Sequence, residues 1–127
     1  MTLPAPTLVL RRVPADRRHL ARALAPDAGD ADSTWWELVD VAGAPDAWPV
    51  GVAVTFTGAD GFAQVVSLAA VSTGEGDPLP GLLLELVTAL RCTDAVAVEV
   101  RSRRPEVLAA LDHEDADRTG DRVVVRF

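Results

Sequence analysis

The side chains able to transfer a proton or hold an anion are few in this chain, and they are scattered. His19 and His113 are far apart, and neither has a nucleophile motif beside it. The single cysteine, Cys92, excludes an internal disulfide and a cysteine metal cluster. There is no tyrosine and no lysine; all basic residues are arginine. Asp27, Asp30 and Asp32 lack the rest of a calcium loop, including its terminal glutamate. Asp112, His113, Glu114, Asp115 and Asp117 read as a solvated turn and edge strand, so no metal is expected. Glu37 and Glu99 are the best placed carboxylates for base chemistry, and each reads as a solvent-facing strand residue. Gln64 and Ser67, the polar residues of the most apolar stretch, are unsuited to basic catalysis near pH 7.

One stretch combines features of an anion site. Residues 62–71 are nearly all apolar and predict a strand buried on both faces. Residues 72–81 hold three glycines and two prolines. Leu82, Leu83, Leu86 and Leu90 then recur at helical spacing. A buried strand, a glycine-bearing loop and a helix N-terminus can together cradle an anion, because the first helical N–H groups are unpaired.

Other elements must support that stretch. Residues 7–13 predict a first strand, and Pro14 suits the start of a helix whose apolar face is Leu20, Ala23 and Leu24. Arg17, Arg18 and Arg22 are expected on the solvated side of that helix. Residues 26–33 read as loop. Residues 34–42 and 49–57 predict a hairpin, with Trp35 and Trp36 on opposite faces because strand side chains alternate. Both are expected in the core. After the central helix, residues 95–101 predict a strand parallel to residues 62–71, since a helix lies between the two. Pro105 opens a short helix with Val107, Leu108 and Leu111, and residues 114–127 predict a closing hairpin.

Composition excludes several classes. At 127 residues and 49% hydrophobic, the chain suits one domain, 1–127, with a sizeable core. Its net charge of −7 argues against nucleic-acid and anionic-lipid partners. No apolar run approaches the roughly 18 residues of a membrane span. The N-terminus lacks the pattern of a signal peptide. The expectation is a soluble, cytoplasmic protein, and the arginine, alanine, valine and aspartate bias is that of a GC-rich bacterial genome. Trp35 and Trp36, with Trp48 in the adjoining turn, predict a homodimer.

The order strand, helix, hairpin, central strand, helix, strand, helix, hairpin resembles the GNAT superfamily of acetyl-CoA-dependent N-acyltransferases. Residues 10–16 (Leu-Arg-Arg-Val-Pro-Ala-Asp), 36–40 (Trp-Glu-Leu-Val-Asp), 49–53 (Pro-Val-Gly-Val-Ala), 68–71 (Leu-Ala-Ala-Val) and 108–114 (Leu-Ala-Ala-Leu-Asp-His-Glu) carry the resemblance. It implies an α/β (α+β) fold: a mixed, mostly antiparallel central sheet flanked by helices on both faces. It also implies acyl-CoA contacts at Leu68, Ala70, Gly74, Gly76 and Gly81.

The chemistry matches the family less closely. The family signature is Gln or Arg followed by Gly-x-Gly-x-Gly or Ala, whose N–H groups hold the CoA diphosphate. Here residues 75–80 read Glu-Gly-Asp-Pro-Leu-Pro, and only Gly76 fits. Pro78 and Pro80 have no N–H to donate. Glu75 and Asp77 bring negative charge toward a diphosphate, and unit charges about 4 Å apart repel by roughly 1 to 4 kcal/mol. The tyrosine that many members use to protonate the leaving thiolate is absent, and Cys92 lies at the end of the wrong helix to replace it. These departures predict a degenerate acyl-CoA loop, no cofactor, and a non-catalytic binding or interaction module. The alternative is an acetyl-CoA-dependent N-acyltransferase acting on an amine, in which proximity supplies the rate.

Overall fold

The apolar runs form one seven-stranded sheet in the order β1-β2-β3-β4-β5-β7-β6. The computed structural model describes residues 8–26, 33–41, 47–71, 78–112 and 116–127. The strands are β1 (Leu8–Arg12), β2 (Thr34–Asp40), β3 (Gly51–Thr57), β4 (Phe62–Ala70), β5 (Ala97–Arg101), β6 (Ala116–Thr119) and β7 (Arg122–Arg126). β4 is the middle strand, as expected. It pairs antiparallel with β3 and parallel with β5, while the other pairs are antiparallel. The closing hairpin turns at Gly120, whose φ of +60° is a left-handed conformation that glycine adopts without a Cβ clash.

Strand alternation divides the core into two layers. On one face Trp36, Ala53, Ala63, Val98, Val100, Val123 and Val125 pack with helices α2 (Leu79–Arg91) and α3 (Pro105–Ala109). On the other, Trp35, Val52 and Val54 pack with Ala21 of α1 (Arg18–Leu24) and with Ala25, the residue after that helix; a 3-10 turn at Ala15–Arg17 precedes it. Both adjacent tryptophans are therefore covered by their own chain, at 2% and 6% exposure. The homodimer argument is left with Trp48, which is 59% exposed. Trp36 also donates its indole N–H to Thr55 Oγ1 at 3.0 Å, so the buried polar atom is satisfied.

α2 supplies most of its layer. Leu82, Leu83, Leu86, Val87 and Leu90 are buried along one stripe, and each contributes roughly 1.5 to 3 kcal/mol of burial. The helix begins earlier than the leucine spacing alone indicates. Pro78 is its N-cap and Leu79, Pro80 and Gly81 form its first turn, where a missing N–H is tolerated. Leu82 of this helix packs directly over Gly51 of β3. A Cβ there would lie 2.9 Å from Leu82 Cδ2 and 3.3 Å from the Ala69 carbonyl oxygen.

Two sequence expectations change. Glu37 does not face solvent: its side chain is fully buried. Arg17 is not on a solvated helix face either; it is 7% exposed and donates through Nε and Nη2 to both Glu37 oxygens at 3.0–3.1 Å. Arg11 Nε donates to Glu37 Oε2 at 3.1 Å, and Arg17 Nη2 also reaches the Ala47 carbonyl at 2.8 Å. The cause is alternation. In β2, Glu37 shares the α1 side with Trp35 and Val39, where the chain entering α1 covers it. A carboxylate enclosed there requires cationic partners.

β4 is also less enclosed than its apolar sequence implies. Among its residues only Ala63 is buried, and Gln64 and Val66 are exposed. The register explains part of this. Val54 pairs with Ser67 and Thr55 with Val65, so Val66 is an extra residue bulging from the ladder.

Candidate functional site

The remaining exposure of β4 comes from its other neighbour. β4 and β5 pair only through Phe62↔Ala97, Ala63↔Val98 and Gln64↔Glu99. Beyond Gln64, β4 stays with β3 as far as Ala70, while β5 stays with β7 as far as Arg101. The two strands part. Among the described residues, the β5-facing backbone edge of residues 65–70 therefore has no strand partner.

The gap opens toward α2 and α3 as a cleft of about 170 Å³. Val65, Ser67, Leu68 and Leu79 line it with Val107 of α3, and Arg104 stands at its rim. A second cavity of about 290 Å³ adjoins it, lined by Gln64, Val65, Glu99 and Arg101. Val65 and Arg101 border both, so the parting of the strands connects the two.

The second cavity lies toward the α1 side of the sheet. There the Glu99 side chain is 13% exposed, with Arg101 Nε 2.8 Å from Oε1 and Arg122 Nη2 3.2 Å from Oε2. Of the two strand carboxylates singled out from sequence, only Glu99 borders the gap. Glu37 is enclosed with Arg11 and Arg17 elsewhere on the sheet.

The other sequence-derived positions divide as follows. Leu68 and Ser67 both line the cleft. Ala70 pairs with Gly51 at the end of β4, outside the lining set. Gly81 sits in the first turn of α2, exposed, with open space where a Cβ would project. Gly74 and Gly76, together with Glu75 and Asp77, lie outside the described residues, as do Asp27, Asp30, Asp32, His113, Glu114 and Asp115. Pro78 and Pro80 flank the first residue of α2, so the helix start lacks two N–H donors where an anion would dock. Arg101 and Arg122 were missed in the sequence. Their signal was an arginine at each matching end of two adjacent strands.

No family profile and no curated protein matches the chain. Solved structures do. A GNAT family acetyltransferase from Brucella melitensis, in complex with acetyl-CoA, superimposes with a TM-score of 0.68 at 10% identity, covering 97% of this chain and 90% of that one. A Bacillus subtilis acetyltransferase in complex with CoA gives 0.63 at 12% identity, covering 95% and 99%. A spermidine N-acetyltransferase from Vibrio cholerae gives 0.65 at 8% identity, covering 94% and 93%.

These neighbours overturn the expectation of no cofactor. That expectation weighed only the loop chemistry, whereas two structures of this fold hold CoA or acetyl-CoA. The physical reason is that a strand gap offers a binding edge whatever the loop contributes. The expected architecture stands: a mostly antiparallel sheet with helices on both faces, and this chain has the GNAT fold.

Proposed function

We propose that the chain binds an acyl-CoA thioester in the cleft between β4 and β5 and transfers the acyl group to an amine. The observation that carries this reading is the parting of the strands after Gln64 and Glu99. The residues present fit such a ligand. Residues 65–70 offer an unpaired strand edge to an extended chain bearing amide groups, and Val65, Leu68, Leu79 and Val107 give it apolar walls. Arg104 at the rim can draw in phosphate charge, and its pair with Glu106 is half exposed on both sides and so easily exchanged.

When bound, the thioester supplies an acyl carbon open to a neutral amine: the C–N bond forms, the C–S bond breaks, sulfur leaves as thiolate, and the amine proton leaves through water. The protein's part is alignment. The cleft holds one reactant, the adjoining cavity admits the other, and the gap sets their approach.

Binding without transfer is the second reading, favoured by the missing tyrosine and by Glu99, whose two oxygens are both engaged by arginine. Calorimetry with acetyl-CoA tests what the two share. A Kd within roughly 1 μM to 1 mM is expected, the range usual for enzyme substrates. Leu68→Trp, whose side chain lies on the α2 side and fills the cleft, should abolish the heat while the variant still melts cooperatively. Absence of binding by the unaltered protein at millimolar acetyl-CoA refutes both readings, and acyl transfer to any amine in a panel decides between them.

A further inference from the structure

The acyl-CoA reading leaves the acceptor open, and the cavity on the α1 side of the gap bears on it. α1 packs over β2 and β3 through Ala21, Trp35, Val52 and Val54, and that cluster takes in no described residue of β5 or β7. On that face β5 and β7 carry Glu99, Arg101, Arg122 and Arg126 around the apolar Ala97 and Val124. Register places Gln64, Glu99 and Val124 in one row and Arg101 with Arg122 in the next. Val124 is buried, so it forms a floor, and Glu99 is nearly buried beside it. Arg101 and Arg122 are 70% and 46% exposed, so each can turn toward a ligand.

The charge count decides what that ligand carries. Glu99 faces two guanidiniums, and Asp117, level with Val124 on β6, is matched by Arg126, which leaves one excess positive charge among these groups in a chain whose net charge is −7. Guanidinium offers a planar fork of N–H donors that matches an oxyanion and repels a second cation. A polyamine would meet this excess unfavourably, although a neighbour of the same fold is a spermidine N-acetyltransferase.

Resting on the acyl-CoA reading, we infer that the acceptor is an amine that also bears an oxyanion, a carboxylate or a phosphate. Arg101 and Arg122 hold the anionic end on the sheet face opposite α2. Gln64 and Glu99, at the point where the strands part, receive the amine end and direct it into the gap. In transfer the amine nitrogen gains the acyl carbon as the C–S bond breaks, and its proton leaves through water. The oxyanion is unchanged throughout, so Arg101 and Arg122 serve specificity and are positioning residues.

Matched amines test this. Phenylalanine against phenethylamine probes a carboxylate, glucosamine 6-phosphate against glucosamine probes a phosphate, and spermidine is the polycation. Binding is titrated with and without CoA by ligand-observed NMR, and transfer is followed with acetyl-CoA. The anionic member of at least one pair should bind roughly tenfold or more tightly than its neutral partner, and the pair that responds identifies the anion. Arg122→Gln should remove most of that preference while the variant still melts cooperatively, which sets lost selectivity apart from a folding defect. Arg122→Glu should turn the preference toward spermidine. Equal binding within both pairs, or spermidine as the best ligand of the unaltered protein, overturns the inference. If CoA binds and no anionic amine does, the inference fails and the acyl-CoA reading survives. If CoA does not bind, that reading fails on its own, while the amine titration still reports on the cavity.

Discussion

Replacing Glu37 by glutamine keeps the side-chain shape and removes its charge. Arg17, 7% exposed, then stays inside the protein with a neutral partner, and Arg11 loses its carboxylate contact. Breaking a buried pair from one side costs about 3 to 5 kcal/mol, because the remaining charge is uncompensated. A domain of this size has roughly 5 to 15 kcal/mol of stability, so the change removes a large fraction of it. Urea denaturation followed by tryptophan fluorescence should show a lower midpoint with an unchanged m-value. With m roughly 1 to 3 kcal/mol/M, the midpoint should fall by at least about 1 M. The double variant Glu37→Leu with Arg17→Met removes both charges and should recover much of the loss. Its recovery will be incomplete, because the Ala47 carbonyl loses its donor. A loss below about 1 kcal/mol for Glu37→Gln, or a double variant less stable than both single ones, would refute the argument that an uncompensated charge sets the cost.

Further outcomes follow from other contacts. Gly51→Ala should destabilise by about 1 to 3 kcal/mol in the same denaturation assay, because the Ala69 carbonyl at 3.3 Å is backbone and cannot give way as the Leu82 side chain can. Pro80→Ala adds an N–H to the first turn of α2 and should tighten CoA roughly threefold to tenfold by calorimetry. Sedimentation tests the homodimer: if Trp48 seats a second copy, Trp48→Ala should shift the protein toward the 13.4 kDa species.

What could be read from sequence was whatever depends on neighbours along the chain. The leucine stripe of α2, the alternation of Trp35 and Trp36 and the helix between two apolar runs each report a local period, and each matched the fold. The Arg17–Glu37 pair spans 20 positions and depends on how α1 enters the sheet. A glutamate between Trp35-Trp36 and Leu38-Val39, close to an arginine-rich first helix, was its only trace. The cleft was hidden for a different reason. It depends on where the β4–β5 ladder stops, and no residue type records the end of a parallel pairing. Proline at Pro78 and Pro80 was legible as a loss of donors, but the strand gap does not depend on them.

The extra residue Val66 acts on β4 as a frameshift acts on a reading frame. Up to Val65 odd-numbered side chains face α2, and from Ser67 onward even-numbered ones do, so Val65 and Leu68 meet the same core although they are three positions apart. The phase change is why the strand shows no two-residue alternation, and why an apolar run could be mistaken for burial on both sides. Deleting Val66 would restore a single phase and turn one half of the strand inside out, exchanging Ala63 and Val65 with Phe62 and Gln64 or Leu68 with Ser67 and Ala69. Substitutions within β4 can be absorbed one side chain at a time, but a change in its length cannot.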